Sequence, residues 1–100
     1  MAKFVVEFQY NVDRAGRQEL HPAHAENLRS LADEGVLLLA GPLPEANAGL
    51  LVYEVEDREE LQKLLDSEPY VAGGLVAETR VRQWAPGKGS WIVALNQPAA

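Results

Sequence analysis

Two histidines and one carboxylate hold most of the acid–base chemistry that this chain offers. His21-Pro22-Ala23-His24 places an imidazole at the start of an amphipathic helix. Glu68-Pro69-Tyr70-Val71-Ala72-Gly73-Gly74-Leu75 places a carboxylate at the end of a second one. A histidine with a carboxylate partner is the smallest unit that moves a proton near neutral pH. At about 100° per residue, Leu28 and Leu31 project within about 40° of His24, so its ring is expected to face a sheet rather than bulk water. A plainer reading makes His24 a partly buried structural histidine bonded to a backbone carbonyl. His21 stands three residues earlier, and an HxxH pair could ligate a metal. No further ligand sits at a recognisable spacing, so no metal is expected. Glu68 reads as a helix C-terminal acid, disfavoured there by the helix dipole and therefore in search of a partner. Contact between His24 and Glu68 is permitted by the fold derived below and not required by it.

The elements that must position these groups follow from periodicity. Phe4, Val6, Phe8 and Tyr10 alternate with Val5, Glu7 and Gln9 as a strand does. Asn11 to Gly16 reads as a polar turn. A helical period follows from about Gln18 to Glu34, beginning near His21 because Pro22 is tolerated in a first turn, and ending at Gly35. Val36 to Ala40 is an apolar run expected to be a strand buried on both faces and stopped by Gly41-Pro42. Leu50 to Glu56 is the next strand. Asp57-Arg58-Glu59-Glu60 has the form of a capping box for a helix with a Leu61, Leu64, Leu65 stripe. Pro69 ends that helix or forces a new turn. Leu75 to Trp84 alternates like a final core strand, and Trp91 to Leu95 suggests a short fifth one.

The order β-α-β-β-α-β defines a ferredoxin-like split βαβ fold in the α+β class: a four-stranded antiparallel sheet with two helices on one face. Both alternations of the strands are apolar, with Val5, Leu51, Tyr53 and Val55 set against Phe4, Val6, Leu50 and Val52. A monomer would expose the second sheet face, so a homodimer packing sheet on sheet is expected. Residues 1–84 form the domain. Residues 85–100 form an extension expected to pack on the dimer partner or at the pocket mouth.

Composition narrows the function classes. The chain has 100 residues, no cysteine and a net charge of −6 with a pI near 4.8. Thiolate chemistry and disulfides are excluded, and the scattered basic residues argue against nucleic acid. No apolar run spans a bilayer, and Met1-Ala2-Lys3 leads straight into a strand rather than a signal sequence, so a cytoplasmic domain away from membranes is expected.

Four segments in order resemble the YCII-related (YciI-like) family: Pro22-Ala23-His24, Asp33-Glu34-Gly35, Ala40-Gly41-Pro42 and Pro69-Tyr70-Val71-Ala72-Gly73-Gly74-Leu75. The resemblance runs from the first strand to Trp84. It implies a dimeric α/β barrel and a histidine–aspartate acid–base centre. His24 matches the family histidine, whereas Glu68 stands where the family has aspartate and adds one methylene to the reach. His21 stands where an arginine is expected. The resemblance further implies cofactor-free proton transfer at carbon, as in muconolactone isomerases and dehydrochlorinases of chlorinated hydroxyquinols, on a small cyclic or aromatic-derived substrate. On this reading His24 and Glu68 are catalytic, and His21, Gly41, Pro42 and Tyr70 bind the substrate between helix and sheet. Two alternatives stand beside it. One is a non-catalytic small-molecule-binding or accessory barrel. The other is a cofactor-free oxygenase, which an apolar pocket lined by Trp84 or Trp91 would favour.

Overall fold

The alternation of Phe4, Val6 and Phe8 gives β1, Ala2–Tyr10, in the computed structural model, which describes residues 1–92. The element order continues as α1 (Arg14–Arg17), α2 (His21–Asp33), β2 (Leu37–Leu43), β3 (Ala48–Val55), α3 (Arg58–Asp66), α4 (Pro69–Ala72) and β4 (Val76–Trp84). The strands form one sheet in the order β2-β3-β1-β4, antiparallel throughout. This is the ferredoxin-like arrangement expected from the sequence.

Local signals set most boundaries. Pro22 sits in the first turn of α2, as its missing N–H allows. At the other end, Gly35 adopts φ 76°, with Gly35 N–H donating to Ala32 C=O and Val36 N–H to Leu31 C=O. Those two bonds make a Schellman ending, which needs a left-handed residue and hence glycine. Asp57 caps α3 by accepting from Glu60 N–H, while the Glu60 carboxylate accepts from Glu56 N–H. Both ends of the capping box are thus satisfied, with the return bond one residue earlier than the usual N-cap amide.

Leu31 of α2 and Leu61 and Leu65 of α3 pack with Phe4, Val6, Phe8, Leu51, Tyr53 and Val55 into one core between the helices and one sheet face. The alternate residues of β1 and β3, among them Val5, Leu50 and Val52, point to the other face. Leu39, Trp84 and Trp91 are exposed there, at 39%, 40% and 66%.

Several expectations are corrected. The segment Asn11 to Gly16 contains the start of a one-turn helix, α1, capped by Asp13 accepting from Gly16 N–H. Gly41-Pro42 does not stop β2, which runs on to Leu43 with Pro42 opposite Gly49. A proline is tolerated there because β2 is an edge strand with one side free of ladder bonds. Being at the edge, β2 is also exposed from Leu39 to Pro42 rather than buried on both faces. The third strand begins two residues earlier than expected, at Ala48. The last strand is likewise an edge, mostly exposed, rather than a core strand. Of the expected fifth strand, residues 93–95 lie outside the described residues. Trp91 and Ile92 belong to a turn in which Ile92 N–H donates to Gly89 C=O.

Candidate active site

Glu68 does not lie at a helix C-terminus exposed to water. It leaves α3 by donating its N–H to Leu65 C=O, and its side chain then caps the one-turn helix α4. Oε2 accepts from the backbone N–H of Tyr70 at 2.9 Å and of Val71 at 3.3 Å. Pro69 follows it as the first residue of α4, where no N–H is needed. The carboxylate is fully buried, the only buried charged residue among those described. An unpaired charge in that position would be costly, so its remaining oxygen demands a donor.

His24 of α2 supplies it: His24 Nδ1 meets Glu68 Oε1. The extra methylene of Glu68 relative to aspartate is thus taken up by a side chain that caps α4 with one oxygen and holds the imidazole with the other. A carboxylate oxygen accepts, so in this contact Nδ1 is the donor and Nε2 stands at the other edge of the ring. The His24 side chain retains 13% exposure, so the ring is covered without being sealed.

Aromatic packing fixes the ring plane. His24 stacks on Tyr70 at 3.8 Å between centroids and 8° between planes. Tyr70 in turn meets Tyr10 of β1 edge to face at 5.6 Å. The Arg17 guanidinium of α1 lies 4.1 Å over the Tyr10 ring, within cation–π range. Arg17 Nη1 also donates to Val12 C=O and to Asn47 Oδ1, at 3.0 Å and 2.7 Å. A chain of side chains from four elements therefore ends on the imidazole. Burial raises the Tyr70 phenol above its ordinary range, Arg17 partly offsets this by charge and hydrogen bonding, and Glu68 adds to the rise. Tyr10 is raised for the same first reason, opposed by Arg17.

The structure brings together His21, His24, Glu68 and Tyr70. His21 is exposed, with its ring 6.3 Å from that of His24. Gly41 and Pro42 are not part of this group. Because β2 carries them along the sheet edge, they line a groove of about 440 Å³ on the opposite face with Val5, Leu39, Val52, Trp84 and Trp91. Residue spacing did not reveal Tyr10 or Arg17 as neighbours of the site. Tyr10 carried a usable signal, since it lies on a strand that feeds the core; Arg17 in its short loop helix carried none. Among the described residues no three His, Cys, Asp or Glu side chains cluster to hold a metal ion, and no helix is long and apolar enough to cross a membrane.

Comparisons with known proteins place the chain by sequence and by fold. The model of the YCII-related domain matches residues 2–85. Protein YciI of Escherichia coli O6:H1 is 34% identical over 76 residues, covering 66% of this chain and 78% of the relative. Protein YciI of Shigella flexneri matches to the same extent. Among solved structures, 5-chloro-2-hydroxyhydroquinone dehydrochlorinase of Burkholderia phenoliruptrix AC1100, in complex with 2,5-dihydroxybenzoquinone, superposes with a TM-score of 0.74. It is 21% identical, and the match covers 85% of this chain and 95% of the other, a likeness of fold.

Proposed function

The chain belongs to the YCII-related domain family, and on that premise we propose that it is a small cofactor-free enzyme in which His24 transfers a proton at carbon. The observation that carries this reading is the fully buried Glu68 holding His24 Nδ1. That bond orients the imidazole and commits Nε2 to act as the base. Nε2 removes a proton from a carbon made acidic by an adjacent carbonyl or enol. The resulting imidazolium is stabilised by Glu68, which keeps its charge. Returning the proton to another carbon gives isomerisation. If instead the C–H electron pair expels chloride from the neighbouring carbon, a C=C bond forms and the products are HCl and an unsaturated ring.

A small cyclic, aromatic-derived substrate suits the partly exposed His24 ring, and His21 stands where it can bind an oxygen of that substrate. The dehydrochlorinase with the same fold supports trying halogenated hydroxyquinols first. A cofactor-free oxygenase would draw on the tryptophan-lined groove, but among the described residues no titratable side chain lines it, so they offer it no base. Its apolar lining instead supports a homodimer in which a second copy covers the open sheet face. Trp91 lies in that lining, which supports assigning residues 85–100 to the dimer partner or to the groove it forms.

The test is a panel of chlorinated hydroxyquinols and unsaturated lactones in D2O, followed by chloride release and by deuterium entering carbon. His24→Gln is expected to lower the rate at least about 100-fold, the scale of a lost general base. Turnover retained by a folded His24→Gln protein would remove the proposal.

A further inference from the structure

Arg17 is a partly buried cation that the chemistry above does not use. No carboxylate pairs with it among the described residues. Its guanidinium lies instead 4.1 Å over the Tyr10 ring, and its Nη1 donates to two neutral acceptors, Val12 C=O at 3.0 Å and Asn47 Oδ1 at 2.7 Å. Asn47 Nδ2 donates to the same Val12 carbonyl at 3.0 Å, so the segments before α1 and before β3 are tied together without the arginine. Asn47 is the one non-glycine residue with a left-handed backbone among those described, at φ 50°, a conformation that asparagine tolerates. Its C=O accepts from Tyr10 N–H at 3.2 Å. Tyr10 is therefore held at its backbone by Asn47 and on its ring by Arg17.

The contact between His24 Nδ1 and Glu68 fixes one point of the ring and leaves a pivot about that point. Tyr70 removes this freedom by stacking on one face of the imidazole, at 3.8 Å between centroids and 8° between planes. The Tyr70 ring is in turn met edge to face by Tyr10 at 5.6 Å. From this unbroken run of contacts we infer that Arg17 is a positioning residue, whose guanidinium holds Tyr10 against Tyr70 and so sets the plane of the His24 imidazole. What the arginine adds beyond the Asn47–Val12 tie is a cation on an aromatic face, carried by a planar fork that two acceptors lock in place. A neutral side chain of similar length would fill the space without attracting the ring. The aim of the imidazole is thus set from α1, on the far side of two tyrosines.

The inference rests on the proposed use of His24, and its first test needs no turnover. A ring stacked on a phenol face has shielded protons, so the His24 ring protons should resonate upfield in NMR spectra of the purified full chain. In Arg17→Gln they are expected to lose most of that displacement. Arg17→Lys keeps a cation for Tyr10 and should recover about half of it or more. On any substrate that the panel yields, Arg17→Gln should lower kcat about tenfold or more and leave KM within about twofold, the pattern of a misaimed base. Unmoved His24 shifts in a folded Arg17→Gln protein, or shifts that lysine restores no better than glutamine, would overturn the inference, whatever becomes of the panel. An arginine that contributes to stability alone predicts unmoved shifts. If Arg17→Gln does not fold, Asn47→Gly decides by the same signal, because glycine keeps the left-handed turn and removes an acceptor that fixes Arg17. His24 shifts unmoved in that variant would equally overturn the inference.

Discussion

At the scale of single residues, the decisive fact is where charge and phenol are buried. Glu68 accepts from two backbone amides and one imidazole, so every polar contact it makes is with a donor. Removing that carboxylate would leave three donors unserved near the core, whereas removing His21 would leave none. The buried tyrosines also set an alkaline limit. Burial raises Tyr53 first of all, and Glu68 adds to the rise. The folded state therefore holds this proton above pH 10, where the unfolded chain releases it. With fewer protons bound in the unfolded state, stability falls as pH rises beyond 10. Denaturant midpoints measured between pH 9 and 11.5 should decline, and should decline less steeply in Tyr53→Phe. Equal slopes in the two proteins would contradict this.

At the scale of elements, the site depends on how short segments abut. Gly49 lies under Tyr10, and a Cβ added there would meet the Tyr10 hydroxyl at 2.6 Å. Gly49→Ala should therefore push Tyr10 away from Tyr70 and loosen the stack on His24. The expected cost is about 1 kcal/mol, at the low end for overpacking because the obstructing atom ends a movable side chain. Thermal unfolding and tyrosine near-UV circular dichroism would register it; an unchanged aromatic signal would show that the contact is slack. The main elements were legible because their signals are local: alternation in β1, Pro22 and Gly35 around α2, Asp57 and Glu60 at α3. The reach of β2 through Pro42 was not, since edge position is decided by pairing far along the chain. Nor was α4 beyond the possibility of a new turn at Pro69, because a single turn has no period to read. Glu68 therefore read as the C-terminal acid of α3 rather than as the N-cap of α4. The direction of His24 was legible from Leu28 and Leu31, and its partner depended on a turn that only tertiary packing reveals.

At the scale of the whole molecule, the helix-covered face is complete and the open face is not. Leu39, Trp84 and Trp91 leave apolar surface that a second copy is proposed to cover. Sedimentation equilibrium should report a dimer. Leu39→Asp should weaken that dimer at least about tenfold, the equivalent of about 1.4 kcal/mol. A monomer at micromolar concentration, or a dimer indifferent to Leu39→Asp, would contradict the sheet-on-sheet assembly. Within either assembly the proposed chemistry reduces to one proton between His24 and Glu68. Long-range 1H–15N correlation of the His24 ring in the intact protein, above its titration midpoint, locates that proton directly. The expected result is a neutral ring protonated at Nδ1, with Nε2 carrying the lone pair. A ring protonated at Nε2 would contradict the assignment of His24 as a Glu68-oriented base.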